Sequence, residues 1–94
     1  MKVKIYVNWE AGVIVKEEEL AEVKDTMAAE ILDNPYDRKE KAAEFLCNRY
    51  IYAEDLFCMD ESERKQLMEE FINYIVECVD EIIKDEYEER IIEV

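Results

Sequence analysis

Three cysteines and a large surplus of carboxylates are the residues of this chain whose side chains could do chemistry. The thiols Cys47, Cys58 and Cys78 stand eleven and twenty residues apart, so no Cys-x-x-Cys pair exists that would bind zinc or exchange a disulfide. The chain has no histidine, which is the usual base that activates a cysteine nucleophile. We therefore expect three reduced, largely buried thiols and no catalytic cysteine.

The 26 acidic residues do not by themselves indicate acid–base catalysis or metal binding. Paired carboxylates become catalytic where a pocket separates their pKa values, and no pattern in the sequence marks such a pocket. The densest group of oxygen ligands, Asp33 to Asp37, lacks the central glycine and the bidentate glutamate of a calcium loop. A turn with a helix cap explains it better. We expect a protein that is not an enzyme and that needs no metal or cofactor.

The acidic charge is the feature that indicates a function. With 26 acids and 12 bases the chain carries a net charge of −14, and residues 48–94 account for −10 of it. Such a charge excludes direct binding to nucleic-acid phosphates or to an anionic membrane as the main activity. It also exceeds the net charge of about 2 to 8 that keeps a small domain soluble. A solvated surface kept acidic for solubility remains the alternative to an acidic binding surface.

The elements that must position these acids begin with a β-hairpin over residues 2–16. Val3, Ile5, Val7 and Trp9 alternate with polar residues, which predicts a half-buried strand. Gly12, the only glycine, supplies a turn, and three β-branched residues follow it as a return strand. Because an isolated hairpin is marginal in water, it must lie on helices.

Helical periodicity predicts three helices, at about 17–33, 37–50 and 61–84, and 53–57 fits one short helical turn. Asn34 and Pro35 end the first helix. Asp37 with Glu40 predicts a capping box for the second, whose shared face is Ala42, Ala43, Leu46 and Tyr50. The sequence thus predicts a single α+β domain over 1–94, with an N-terminal hairpin packed on three helices.

The last and longest helix has an apolar arc of roughly 200°. Its members are Leu67, Met68, Phe71, Ile72, Tyr74, Ile75, Val76, Cys78, Val79, Ile82 and Ile83. So wide an arc predicts contact with two layers, the hairpin on one side and the shorter helices on the other. After Lys84 the apolar and charged residues no longer fall on separate sides, so the helix either ends there or continues into solvent. Residues 90–94 are predicted to be a frayed tail or an added strand.

The outer side of this helix and the residues that follow carry the candidate partner-binding carboxylates. These are Glu69, Glu70, Glu77, Asp80, Glu81, Asp85, Glu86, Glu88 and Glu89. Carboxylates on successive turns, about 5.4 Å apart, form a rigid negative ladder that could occupy a cleft built for nucleic acid. Aromatic residues near the acids would anchor the interface. The candidate anchors are Trp9, Tyr50, Tyr52 and Tyr87.

Two segments, Met1 to Trp9 and Ala53 to Arg64, resemble small acidic proteins carried by phages and mobile elements of Gram-positive bacteria. Some proteins of that kind are anti-CRISPR inhibitors. The resemblance implies stoichiometric binding to a Cas9-type effector, which reads duplex DNA with arginines and holds nucleic acid in positive channels. Because anti-CRISPR proteins share no common fold, the resemblance contributes no site residues of its own.

The expected partner is therefore a basic nucleic-acid-binding protein, first of all a CRISPR effector, in the cytoplasm of a bacterial host. The sequence shows no signal-peptide or membrane-span pattern. Another DNA-processing enzyme, such as a restriction nuclease or repair glycosylase, is an alternative target. An antitoxin or adaptor that holds a partner helix on its apolar surface is a second alternative. The chain could be a monomer, or a homodimer that pairs its long helices.

Overall fold

A computed structural model describes residues 1–94, and its sheet is built around the first strand. Strand β1 (Lys2–Asn8) lies between β2 (Val13–Lys16) and β3 (Glu88–Glu93), and both pairings are antiparallel. Gly12 makes the turn at φ 68°, in the left-handed region that glycine enters at no steric cost. The hairpin prediction is confirmed. The end of the chain is an added strand and not a frayed tail.

Both faces of this sheet are partly covered, whereas the sequence alternation predicts one buried face. Val7 is 6% exposed and Val15 is 4% exposed. Val15 pairs with Tyr6, which precedes Val7 in β1, so the two valines lie on opposite faces. Trp9, which the alternation places with the buried residues, is 68% exposed and lies beyond the end of β1.

Four α-helices and one short 3₁₀ turn make up most of the remaining chain. The 3₁₀ turn spans Glu17–Glu19, and the helices that follow are α1 (Leu20–Asp33), α2 (Pro35–Asn48), α3 (Ala53–Cys58) and α4 (Glu61–Glu86). The α+β fold with a long C-terminal helix is thus confirmed. The short helical turn expected over 53–57 is α3, and the long helix runs two residues past the predicted end at 84. None of the helices has both the length and the apolar composition that a membrane crossing requires.

Helix α2 begins at Pro35, and the predicted capping box of Asp37 with Glu40 is wrong. The side chain of Asn34 accepts hydrogen bonds from the backbone N–H groups of Tyr36 and Asp37, at 3.0 and 3.3 Å. Proline is well suited to the first helical position, where its missing N–H is not needed, and it keeps the preceding residue extended. Asn34 therefore becomes the cap, at φ −84° and ψ 115°.

The predicted end of this helix at residue 50 is also wrong, because the chain leaves the helix in a Schellman motif. The N–H of Ile51 bonds to the carbonyl of Leu46, and the N–H of Tyr50 bonds to that of Cys47, at 3.0 and 3.1 Å. Tyr50 has a φ of 56°, in the left-handed region where glycine is usual. Its side chain is 79% exposed instead of lying on the predicted helix face.

The core lies where α4 crosses α1 and α2. Phe71, Ile75, Val79 and Ile83 recur every fourth residue of α4 and are all buried. Phe71 and Ile75 cluster with Phe45 of α2, and the rings of Phe45 and Phe71 are tilted with centroids 5.5 Å apart. The face predicted for α2 missed Phe45 and included Ala43, which is exposed.

Only part of the predicted apolar arc of α4 is covered. Met68, Ile72 and Val76, also spaced by four, are 58%, 44% and 45% exposed. The molecule is long, measuring 58 × 24 × 21 Å. Because β2 leads into α1 and β3 follows α4, the sheet lies beyond the C-terminal end of α4 and does not form a layer along its middle. The predicted two-layer coverage by the hairpin is therefore wrong for this part of the helix.

The cysteines are all free, as expected, but they are not largely buried. Cys47 and Cys58 are exposed, and only Cys78 on α4 is half-buried. Cys47 lies in the last turn of α2 and Cys58 is the last residue of α3, so both occupy helix ends away from the core. The expectation that cysteine behaves here as a core hydrophobe fails for two of the three.

Candidate interaction surfaces

The nine candidate carboxylates do not form one continuous acidic surface. Seven of them lie on α4, whereas Glu88 and Glu89 lie on β3 in the sheet. Five of the nine form ion pairs, and these are Glu70, Asp80, Glu81, Glu88 and Glu89. The remaining four, Glu69, Glu77, Asp85 and Glu86, are exposed and have no ion-pair partner.

Besides carrying charge, Glu70 and Asp80 link α4 to its neighbours. Each of them pairs with a basic residue from another part of the fold. A guanidinium nitrogen of Arg49, the residue that follows α2, donates to Glu70 at 2.6 Å, and the same guanidinium lies 4.7 Å from the centre of the Phe45 ring. Asp80 forms a 3.0 Å ion pair with Lys24 of α1. Their side chains are only 36% and 43% exposed. We therefore assign them mainly to the packing of the helices.

The two acids on β3 are engaged within the sheet. Glu89 forms a 2.8 Å ion pair with Lys4 of β1, and that hydrogen bond raises the pKa of the lysine. Glu88 accepts a hydrogen bond from the indole N–H of Trp9, and it lies 3.0 Å from a guanidinium nitrogen of Arg90. The indole, and then the guanidinium, lower the pKa of Glu88. Neighbouring basic groups therefore offset part of the negative charge of both carboxylates.

The outer side of α4 keeps three acids that point to solvent, Glu69, Glu77 and Glu81, which we call the α4 acidic face. All three are exposed, and they fall within about a third of the helix circumference. Of the three, only Glu81 forms an ion pair, with Lys84, at a loose 3.8 Å. The four buried residues of α4, which recur every fourth position from Phe71 to Ile83, fix the orientation of this face relative to the core.

Asp85 and Glu86 lie in the last turn of α4, where negative charge is unfavourable. The C-terminal end of a helix carries partial negative charge, and each carboxylate there costs about 0.3–1 kcal/mol at an exposed site. Lys84 is the only basic residue in that turn. The placement of these two acids is therefore not explained by helix stability.

The predicted aromatic anchors differ in how available they are. Trp9 is bound by Glu88, and the guanidinium of Arg90 lies 5.9 Å from its ring centre. Tyr87 is half-buried where α4 passes into β3. By contrast, Tyr50 and Tyr52, in the connection between α2 and α3, are 79% and 66% exposed. These two tyrosines are the anchors that a partner can reach most easily.

A hydrogen-bonded cluster links α2 to α4 near the core. The phenol of Tyr74 donates to Glu44 at 3.0 Å, and Lys41 donates to the same carboxylate oxygen at 3.2 Å. Tyr74 first, and Lys41 second, lower the pKa of Glu44, while burial raises the pKa of Tyr74. At neutral pH the carboxyl is therefore ionised and the phenol protonated. No group of three or more carboxylates or thiols is placed to hold a metal ion.

The sequence did not predict an apolar groove that lies between α2, α3 and α4. Its volume is about 550 Å³, and nine of its ten lining residues are apolar. They are Ala42, Phe45, Leu46, Ala53, Leu56, Phe57, Leu67, Met68 and Phe71, and Arg64 is the tenth. We call this the α2–α3–α4 groove. Two adjacent apolar residues, Leu56 and Phe57, are the signal in the sequence that could have indicated this groove. Whether they are exposed depends on where α3 packs, which the sequence does not show.

Comparison of the chain with protein-family models, with curated proteins and with solved structures finds no match.

Proposed function

We propose that this protein is a stoichiometric inhibitor that binds a basic, nucleic-acid-binding protein in the place of nucleic acid. A CRISPR effector of the Cas9 type is the favoured target, and another DNA-processing enzyme is the alternative. The observation that carries the proposal is the amount of acidic charge that the fold leaves unpaired. Six ion pairs engage six of the 26 acids, which leaves 20 acids and six bases outside any ion pair.

Charge of this size works against folding, so solubility alone is a poor explanation for it. Like charges on a compact chain repel one another and destabilise the folded state. Only seven of the 94 residues are buried, so the core that must overcome this repulsion is small. Asp85 and Glu86 add an unfavourable interaction with the α4 dipole. A binding role accounts for acids that reduce stability in the free protein.

The α4 acidic face has the geometry that a nucleic-acid-binding cleft can accept. Glu77 and Glu81 lie about 6 Å apart along the helix axis, and Glu69 lies about 12 Å before Glu77. Duplex DNA presents one charge per about 1.7 Å of axis, so the match is to a line of negative charge and not to individual phosphates. Opposite charge on the target would also accelerate association.

Two variants with equal charge change test this proposal. The first reverses the α4 acidic face with Glu69→Lys, Glu77→Lys and Glu81→Lys. The control reverses three exposed acids elsewhere, with Asp25→Lys, Glu30→Lys and Glu40→Lys. None of these control acids is in an ion pair.

Affinity for a guide-loaded Cas9-type effector is measured for both variants, after circular dichroism has shown that each is folded. We expect the first variant to lose roughly tenfold or more in affinity and the control to lose much less. Duplex DNA that carries the effector's recognition motif should displace the wild-type protein. Equal losses for the two variants, or no displacement by duplex DNA, would contradict the proposal. Absence of binding to the effector together with binding to a restriction or repair enzyme would select the alternative target.

A further inference from the structure

The α2–α3–α4 groove is an apolar surface, about 550 Å³ in volume, that the fold leaves open to solvent. Phe57 is 84% exposed on its α3 side, and Met68 is 58% exposed on its α4 side. From Met68 the apolar surface continues along α4 through Ile72 and Val76, which extends it by about 12 Å. An elongated apolar groove of this kind matches the apolar face of an amphipathic helix, whose anchors recur every third or fourth residue.

One hydrogen bond joins α3 to α4 across the groove, and each of these two helices is capped by an aspartate. The guanidinium of Arg64 donates to the backbone carbonyl of Leu56 at 3.1 Å, which fastens α3 to α4. Asp55 accepts from the backbone N–H of Tyr52 at 2.8 Å and so caps α3. Asp60 caps α4 by accepting from the N–H of Glu63, also at 2.8 Å.

The chain that leads from α3 into α4 beside the groove is acidic, whereas the one charged residue that lines the groove, Arg64, is basic and donates to the Leu56 carbonyl. Residues 53–63 carry five acids and no base, and none of these acids is in an ion pair. Asp55 and Asp60 are occupied as caps, so Glu54, Glu61 and Glu63 remain exposed to meet a partner. A helix with lysine or arginine beside its apolar face complements this edge.

A second copy of the chain fits this surface poorly. Each copy carries a charge of −14, and bringing two such charges together is repulsive. The same repulsion disfavours an anionic lipid surface. Tyr50 and Tyr52, exposed in the connection beside the groove, offer the kind of aromatic contact that is enriched in protein interfaces.

We propose that the α2–α3–α4 groove binds one amphipathic, lysine- or arginine-flanked helix of a partner protein. The apolar side chains of that helix enter between Phe57 and Met68, and its basic side chains pair with Glu54, Glu61 and Glu63. The proposal deepens the inhibitory function above, since it takes the partner to be the same basic target. It adds a second, apolar contact to the electrostatic one.

The test uses two synthetic helical peptides of equal length, with leucine on one face and either lysine or glutamate on the other. Binding of each labelled peptide to the full chain is measured by fluorescence anisotropy. The groove variant is Phe57→Ser with Met68→Gln, and both residues are exposed enough for the fold to survive. The control variant is Ile14→Ser with Ile91→Ser, two isoleucines of the sheet that are each 64% exposed.

We expect the lysine peptide to bind, the glutamate peptide not to bind, and the groove variant to weaken binding roughly tenfold or more. The control variant should bind like the wild type. Comparable binding of both peptides, or equal weakening by both variants, would overturn the groove as a helix site. So would sedimentation that shows a wild-type dimer which the groove variant dissociates.

The failure of this inference can be told apart from failure of the inhibitory function. If the groove variant binds the guide-loaded effector as tightly as wild type while the reversed α4 acidic face does not, the function stands and the groove is not part of it. If the wild-type chain binds no nucleic-acid-processing enzyme but does bind the lysine peptide, and the groove variant loses that peptide, the groove binds a basic helix and the inhibitory function is wrong.

Discussion

Two alanine substitutions on α4 test whether the helix is oriented as the structure has it. Ile75 is 0% exposed in the cluster with Phe45 and Phe71, whereas Ile72, one turn earlier, is 44% exposed. Isoleucine becomes alanine in both cases, so the number of carbons removed and the gain in helix propensity are the same. The difference between the two variants therefore reports burial alone.

The size of the effect follows from three deleted carbons. At about 0.8 kcal/mol per buried carbon, Ile75→Ala loses about 2.4 kcal/mol of transfer free energy, and the cavity raises the total toward the 2–5 kcal/mol seen in other cores. Ile72→Ala loses roughly 1 kcal/mol, because about half of its side chain is already in water and no enclosed cavity forms. We expect the free energies of unfolding to differ by about 2 kcal/mol.

Urea unfolding followed by circular dichroism measures both free energies. A difference of about 2 kcal/mol is large in a domain whose total stability is of order 5–15 kcal/mol. Equal losses for the two variants, or a larger loss for Ile72→Ala, would show that α4 buries a different face. The exposed stripe beside the α2–α3–α4 groove would then not exist.

Three further measurements test local features of the structure. Because the pKa of Glu44 is lowered, its bond to Tyr74 contributes fully to stability above about pH 4.5 and is lost as the pH falls through the folded-state pKa. Tyr74→Phe should therefore cost more stability at neutral pH than at low pH. Identical costs at the two pH values would contradict this. Asn34→Ala should cost about 1 kcal/mol in urea unfolding because it removes the cap of α2, while Asp37→Ala should cost less; the reverse order would restore the capping box predicted from the sequence. Brief alkylation of the native protein followed by mass spectrometry should label the two exposed cysteines first and the half-buried one later, and uniform labelling would refute their placement.

The sequence predicted those parts of the fold that depend on residues close to one another along the chain. Alternation and Gly12 define the hairpin, and Asn34 with Pro35 marks the boundary between α1 and α2. The strong separation of apolar and acidic residues on α4 predicted the longest helix and its outer acids. Each of these signals lies within one element, so no knowledge of distant contacts was needed.

The parts that the sequence left open or missed depend on contacts between residues far apart in the chain. Strand β3 does not alternate clearly, and it forms because it can pair with β1 at the other end of the chain. The bond between Arg49 and Glu70 joins two helices, so the local pattern could not show that this acid is engaged. The groove likewise appears only when α3 is placed beside α2 and α4.

The salt dependence of binding to a guide-loaded Cas9-type effector tests most directly whether the acidic surface stands in for nucleic acid. Raising ionic strength from about 0.01 M to about 0.15 M shortens the screening length from about 30 Å to about 8 Å. The charge of −14, with 20 acids outside any ion pair, predicts that affinity falls steeply over this range and that the reversed α4 acidic face flattens the dependence. An affinity that stays constant across the same range would contradict the inhibitory role of the acidic surface.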